Sequence, residues 1–174
     1  MFSNHQVQVD QLPAIANIDY QPLQKEYLNV ELIAATIFWA VVFIAIIIIF
    51  FVADVVDVNW VKYVVLGGAL VLAALSYTFL FLEFKRMMYA LREHDIIYSS
   101  GYVWREKTVV PFSRIQHVEV TEGPIDRLFD LSKLKIYTAG GSSSDLSIPG
   151  LLPNQAESIK HFILNRNRMR DEEE

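Results

Sequence analysis

Two long stretches without a charged side chain constrain this chain more than any other feature. Residues 32–53 form the first stretch, in which 15 of 22 residues are Leu, Ile, Val or Phe, and residues 63–82 form the second. At about 1.5 Å of rise per residue, either stretch could cross a hydrocarbon core of about 30 Å as a helix. Because lipid cannot satisfy free backbone groups, we predict two spanning helices, even through the β-branched run 46–49.

The short polar connection between these stretches, residues 54–62, predicts an antiparallel helical hairpin. The first stretch does not resemble a cleavable signal peptide, because no basic segment precedes it and its apolar run is too long. Small side chains on the second stretch predict close packing against the first helix, with packing against a second copy as the alternative. These residues are Gly67, Gly68, Ala69, Ala73, Ala74 and Ser76.

The basic residues are distributed unevenly along the chain. Of 15 lysines and arginines, only Lys25 and Lys62 precede residue 83. Lys85, Arg86 and Arg92 follow the second stretch directly. The positive-inside rule therefore predicts a multi-pass protein of the cytoplasmic membrane with both termini in the cytoplasm.

The chain after the second stretch reads as one small β-rich domain. Leu134 and Ile136 alternate with Lys133 and Lys135, as in a half-buried strand. Ile115 is out of phase with the apolar residues that follow it, which predicts a bulge. Further strands are expected at 96–100 and 102–110, a hairpin loop at 140–145 and an amphipathic helix from residue 153.

This pattern divides the chain into four predicted parts. They are an N-terminal cytoplasmic segment (1–29), a two-helix transmembrane hairpin (30–83), a barrel domain (84–167) and a disordered acidic tail (168–174). The chain has no cysteine, which excludes disulfides, thiolate metal sites and cysteine nucleophiles.

Three motifs in the β-rich domain carry a family resemblance. They are VPFSRIQHVEV at 110–120, GPIDRLF at 123–129 and LKIYTAG at 134–140. With two spans directly before them, they resemble the bacterial pleckstrin-homology-like (bPH2/DUF304) family of YdbS-type membrane proteins, over about residues 20–165. The resemblance implies a membrane α-helical hairpin plus a β-rich pleckstrin-homology (PH)-like barrel with a C-terminal helix. It implies no reaction, and it makes a larger relative with more such domains a plausible partner.

Seven polar residues are candidates for a binding surface: Arg105, Lys107, Arg114, Gln116, Arg127, Lys133 and Lys135. The four on alternating strand positions could form one basic patch if their strands are neighbours, and each basic residue near a membrane adds about 1 kcal/mol of attraction to anionic lipid. A solvated strand face is the alternative. Arg114 and Gln116 could instead tie the turn at Pro111 to the barrel, and Arg127 could satisfy carbonyl groups in its turn.

No motif for nucleophilic, metal or phosphate chemistry occurs, and the four histidines lack metal-ligand spacing. We therefore expect no cofactor, no metal and no nucleic-acid partner. The predicted function is a non-enzymatic module, held on the lipid bilayer, that organises a protein complex. Recognition of anionic lipid by the basic face is the alternative. An enzyme that uses Arg114, His117 and Glu119 on a membrane substrate is a third, less favoured hypothesis.

Overall fold

The computed structural model describes residues 18–52, 59–139 and 146–173 of the chain. A short strand precedes two long helices, and a β-rich domain with a C-terminal helix follows them. The elements in chain order are β1 (Gln21–Pro22), α1 (Tyr27–Val52), α2 (Asn59–Phe84), β2 (Met88–Leu91), β3 (Asp95–Ser100), β4 (Glu106–Pro111), a 3₁₀ turn (Phe112–Arg114), β5 (Ile115–Thr121), α3 (Pro124–Leu128), β6 (Ser132–Thr138), β7 (Leu146–Leu151) and α4 (Pro153–Glu173). Most of the predicted connection 54–62 and the whole hairpin loop 140–145 lie outside the described residues.

Helices α1 and α2 form the predicted antiparallel hairpin. Trp39 Nε1 donates a 2.8 Å hydrogen bond to Ser76 Oγ, and the hydroxyls of Thr36 and Tyr77 are 2.9 Å apart. Ala69 and Ala73 are buried in the described structure, as the small-residue pattern predicted. Polar pairs and small side chains are the usual contacts between helices in lipid, where the hydrophobic effect supplies no driving force.

Gly67, Gly68 and Ala74, three of the small residues, are exposed rather than buried in this contact. A Cβ atom built on Gly67 or Gly68 would meet no atom within 4 Å. The outward faces of both helices are apolar and exposed, with Phe38 and Leu70 as examples. Both helices are long and apolar enough to cross a membrane. Exposed apolar surface on this scale is rare in soluble proteins and is the surface that lipid would cover.

The domain consists of two antiparallel sheets that enclose one core. The first has the strand order β1-β2-β3-β4 and the second β5-β6-β7. Leu134 and Ile136 point into the core from the central strand β6, while Lys133 and Lys135 point outward, as predicted from their alternation. Helix α4 covers the core with a stripe of apolar residues, Ala156, Ile159 and Ile163. The predicted barrel with a C-terminal helix is thereby confirmed.

The bulge predicted at the start of β5 is confirmed by the strand register. Ile115 lies opposite Thr138 and His117 lies opposite Tyr137, so Gln116 is the extra residue. The strand predicted from residue 102 differs from the structure, because β4 begins only at Glu106. Gly101 has a φ of 86°, and this left-handed conformation turns the chain before the strand can begin.

Residues 21–23, shortly before α1, belong to the domain, which the sequence-based boundary at residue 29 did not anticipate. Gln21 pairs with Tyr89 at the edge of the first sheet, and Leu23 lies in the core. Tyr89 Oη donates a 2.7 Å hydrogen bond to Gln21 Oε1 and accepts a 2.5 Å bond from Gln155 Nε2. The hydroxyl of Tyr89 therefore joins β1, β2 and α4 at one point.

Helix α4 continues to Glu173, where the sequence predicted a disordered tail from residue 168. The Arg, Met and Glu residues in this stretch have high intrinsic helix propensity, so a helix already stabilised by its packed first turns can propagate through them.

One end of the domain lies against the hairpin, and we call it the hairpin end. In the first sheet, β2 begins at Met88, shortly after α2 ends at Phe84, and Met88 lies opposite Ser99. The turn of residues 101–105, between β3 and β4, is therefore at the hairpin end. In the second sheet, Gly150 touches Tyr27 of α1, so the end of β7 is at the hairpin end as well.

The opposite end of the domain, the distal end, follows from the same registers. It contains the turn between β2 and β3, the 3₁₀ turn and the last turns of α4. Phe112 N donates a 2.9 Å hydrogen bond to His94 O, and Asn167 Nδ2 donates a 3.5 Å bond to Ile115 O. Any surface at the distal end faces away from the hairpin.

Because Tyr98 is buried in the domain, we expect the stability of the fold to depend on pH. Burial and, to a smaller extent, the nearby carboxylates of Glu83 and Glu31 together raise its pKa to about 12 from an ordinary value of 10.0. Because the pKa is higher in the folded state, the protonated phenol stabilises the fold fully below about pH 10, and this contribution is lost as the pH rises through about 12. We expect Tyr98→Phe to lose less stability than the wild type between about pH 9 and about pH 12, measured by denaturant unfolding. Tyr102→Phe, in an exposed turn, is the control, and equal losses in all three proteins would contradict the prediction.

Candidate functional site

The four basic residues, for which the sequence left open a shared patch or a solvated strand face, are divided between the two sheets. Lys107 lies in β4 at the edge of the first sheet, while Lys133 and Lys135 lie in β6 at the centre of the second. The Lys107 ammonium lies 5.3 Å from the ring centroid of Tyr20, a cation–π contact. Arg105 is in the turn before β4, at the hairpin end. The four residues therefore do not share one sheet face.

Arg114 and Gln116 are both exposed at the distal end. Neither side chain forms a hydrogen bond with another residue in the part of the chain that the structure describes. The backbone makes the connection between the 3₁₀ turn and the barrel instead, because Ala139 N donates a 3.1 Å bond to Arg114 O. Both side chains are thus available to solvent or to a partner.

Arg127 lies in α3, at the hairpin end, and does not sit with the other predicted residues. Its Nε is 3.7 Å from Glu122 Oε2, and its side chain is mostly exposed. An ion pair of this length on an exposed side chain contributes little to stability. The guanidinium therefore lies near Glu122, but the ion pair does not restrict it to one position.

Three side chains on the outer face of the second sheet form a hydrogen-bonded group, which we call the polar cluster: His117, Glu119 and Tyr137. Tyr137 Oη donates a 3.0 Å hydrogen bond to Glu119 Oε2, and His117 Nε2 is 3.2 Å from Glu119 Oε1. The rings of His117 and Tyr137 lie 5.8 Å apart. Strand geometry causes this arrangement, because His117 and Glu119 share a face of β5 and Tyr137 is the cross-strand neighbour of His117.

The carboxylate of Glu119 is the centre of the polar cluster. The hydrogen bond to this carboxylate raises the pKa of Tyr137, because it stabilises the protonated phenol, and the negative charge nearby acts in the same direction. Lys135 lies directly opposite Glu119 in the register of β5 and β6. The face therefore presents an anion, a cation and two aromatic donors side by side.

Sequence reasoning identified His117 and Glu119 as neighbours on one face but missed Tyr137. The signal was present, because Tyr137 continues the outward alternation of Lys133 and Lys135. Only the register of β6 against β5, which is shifted by the bulge, shows that Tyr137 meets His117. Arg114, named with His117 and Glu119 in the enzyme hypothesis, makes no described contact with the polar cluster.

Two grooves formed by the described residues lie away from the polar cluster. One groove of about 410 Å³ is at the distal end, between the last turns of α4 and the residues Glu93, His94 and Phe112. Another, of about 310 Å³, lies where the domain meets the hairpin and is lined by Tyr20, Leu23, Lys25, Phe84, Lys85 and Met87, among others. Within the described ranges, no group of three His, Asp or Glu residues could hold a metal ion.

Comparison with known protein families identifies the family of this chain. A family model described as the bacterial PH domain matches residues 28–167, which include the hairpin and nearly all of the β-rich domain. The chain belongs to the bacterial PH domain family. This assignment confirms the resemblance carried by the three sequence motifs, and the matched region includes the paired helices as well as the β-rich domain.

Two relatives from Bacillus subtilis (strain 168) are similar to this chain. The UPF0699 transmembrane protein YdbS is 30% identical over 111 residues, which is 63% of this chain and 68% of YdbS. The UPF0699 transmembrane protein YdbT is 26% identical over 94 residues, which is 53% of this chain and only 19% of YdbT. Both relatives are named as transmembrane proteins, in agreement with the two apolar helices found here.

Among solved structures, a DUF1696 family protein with a pleckstrin-homology domain from Shewanella loihica PV-4 is similar to part of the chain. The similarity covers 48% of this chain and 72% of that protein, with 20% identity and a TM-score of 0.38.

Proposed function

We propose that this chain is a membrane-anchored, non-enzymatic module whose PH-like domain organises a protein complex at the cytoplasmic face of the membrane. The polar cluster is the observation that supports it. This group lies on the exposed outer face of a three-stranded sheet, toward the end of the domain that is distal to the hairpin. A partner in the cytoplasm could therefore reach it without displacing lipid.

The chemistry of this face fits protein recognition. Tyrosine and histidine combine apolar area with hydrogen-bonding groups, and aromatic residues are enriched in protein interfaces. Hydrogen bonds to Glu119 already order these side chains, so they would lose little conformational entropy when a partner binds. The polar cluster also lies outside both grooves described above, which favours a docking face over a catalytic pocket.

A longer membrane protein of the same family is the partner class that we favour. YdbT shows that such proteins exist, because the segment similar to this chain makes up only 19% of its length. Recognition of lipid by a single basic face has less support than protein binding, because Lys107 is on a different sheet from Lys133 and Lys135.

Site-specific photo-crosslinking tests this proposal. A photoreactive amino acid at position 137 in the full-length chain should crosslink, in native membranes, to one defined membrane protein. Glu119→Lys should abolish the crosslink, because it reverses the charge at the centre of the polar cluster. Position 93, in the distal turn between β2 and β3, provides the matched labelling control, and Glu93→Lys provides the matched charge control. A crosslink that survives Glu119→Lys, or that position 93 gives equally, would refute docking at the polar cluster.

The proposal requires that both helices cross the membrane and that both termini lie in the cytoplasm. The absence of cysteine makes this directly testable with single-cysteine variants. We expect a membrane-impermeant maleimide to label Asp57→Cys, between the two helices, in intact cells, and to label Ser113→Cys, in the domain, only after the cells are lysed. Labelling of Ser113→Cys in intact cells would place the domain on the outer side.

A further inference from the structure

The most exposed large apolar side chains of the domain lie at the hairpin end. Trp104 is 88% exposed and Val103 is 63% exposed, both in the turn between β3 and β4. Leu128 is 77% exposed at the end of α3. Each site has an arginine beside it in the sequence, Arg105 in the turn and Arg127 in α3.

The strand register places the turn of residues 101–105 beside the end of α2. Met88 follows Phe84 by four residues and lies opposite Ser99, and Ser100 lies opposite Glu106. The turn is therefore the continuation of β3 and β4 toward the hairpin, beyond their last paired residues. Helix α3 reaches the same level on the second sheet, because it contacts α1.

The backbone of the turn is built to expose these side chains. Gly101 has a φ of 86°, and a Cβ atom there would lie 1.9 Å from the carbonyl oxygen of Trp104. Only glycine permits this close approach, which closes the turn and directs the indole of Trp104 away from the barrel core. The exposure of Trp104 therefore results from the geometry of the turn and not from flexibility of the backbone.

From these observations we propose that the domain docks on the bilayer surface through two contacts, the turn 101–105 and the Arg127–Leu128 end of α3. This inference rests on the membrane anchoring in the proposed function. The occupant is the interfacial region of the bilayer that the hairpin itself crosses. Tryptophan prefers this region, and arginine can place its stem along apolar surface while its guanidinium binds lipid phosphate.

Tethering supports the bilayer as the occupant. Lys25 and Lys85 lie at the same end, at the foot of α1 and α2, where headgroups would lie, and Glu26 and Glu83 lie beside them. Because the hairpin holds this end at the membrane, the effective concentration of lipid is high and even weak contacts are occupied. The domain would then sit at a fixed tilt, with the polar cluster directed away from the membrane.

Spin-label accessibility tests the docking in full-length protein reconstituted into phosphatidylethanolamine and phosphatidylglycerol vesicles. A nitroxide on Val103→Cys or Leu128→Cys should collide more with oxygen, which concentrates in lipid, than with a water-soluble nickel chelate. Met169→Cys, at an exposed apolar position of the distal end, is the matched control and should show the reverse. Phe38→Cys, on the outer face of α1, reports on the hairpin.

The possible outcomes separate this proposal from the anchoring itself. If the label at position 103 is as accessible to nickel as the label at 169, while the label at 38 lies in lipid, the docking is overturned but the anchor is intact. A label at 38 accessible to nickel shows that anchoring has failed. Shielding of position 103 from both reagents indicates contact with a second copy and also overturns the docking.

A second variant tests the role of the indole. Trp104→Ser in the Val103→Cys protein should lower the ratio of oxygen to nickel accessibility to the value of the Met169→Cys control. Leu164→Ser, on the exposed side of α4, should leave the ratio unchanged. An unchanged ratio in Trp104→Ser would show that the tryptophan does not hold the turn in the membrane.

Discussion

Replacing Gly150 with alanine is expected to destabilise the folded chain by about 2–5 kcal/mol. Gly150 has a φ of 63°, which costs any residue with a Cβ atom about 1–2 kcal/mol. The added Cβ atom would also lie 2.7 Å from Tyr27 Cβ and 2.8 Å from Tyr27 Cγ, and overpacking of this kind costs about 1–3 kcal/mol. Because typical domains are stable by only about 5–15 kcal/mol, this single methyl group should remove a large part of the total.

The effect should be measured by thermal unfolding of the purified protein in one detergent. Gly67→Ala is the matched control, because a Cβ atom there meets no atom within 4 Å, and it should unfold at or above the wild-type temperature. Gly150 lies where β7 meets α1, and its carbonyl oxygen accepts a 3.0 Å bond from Gln24 N. If Gly150→Ala unfolds at the same temperature as Gly67→Ala, the close contact between domain and hairpin is absent.

Leu134→Ala is expected to destabilise the domain by about 2–5 kcal/mol, because it leaves a cavity at the centre of the core. Leu134 is fully buried on the central strand β6, between cross-strand neighbours Val120 and Ile148. A rigid sheet can close around the missing atoms only partially, which places the expected loss toward the upper part of this range.

The neighbouring residue offers the control for this substitution. Lys135→Ala changes the adjacent position on the same strand but removes an outward side chain, so we expect a change of no more than about 1 kcal/mol. Unfolding by denaturant in the same detergent compares the two variants directly. Similar losses in both would contradict the assignment of Leu134 to the core and of Lys135 to the surface.

Much of the fold could be read from the sequence, because local patterns report directly on solvent and lipid. The two uncharged stretches predicted the helical hairpin, and the alternation of Leu134 and Ile136 with lysines predicted β6 and its orientation. The phase shift at Ile115 predicted the bulge. The hairpin was identified by the length of its uncharged stretches, and the strand features were identified by the period of their apolar side chains.

The candidate site was predicted less completely, because it depends on which strands are neighbours. Lys107 and Lys133 both alternate on strands, yet their strands belong to different sheets, so the single basic patch did not form. Tyr137 joined His117 and Glu119 only through cross-strand register. The contribution of Gln21 to the first sheet was also missed, since a two-residue strand has no periodicity to detect.

The sequence by itself determined that this chain carries two apolar helices before a β-rich, PH-like domain, because length and period of apolar residues are local properties. Only the tertiary structure decided which ends of the sheets face the hairpin and which side chains meet there. Trp104 and Leu128 come to the same end because β3 ends and β4 begins there and because α3 contacts α1. Such convergence depends on strand register and connection geometry, which join residues distant in sequence and leave no local pattern.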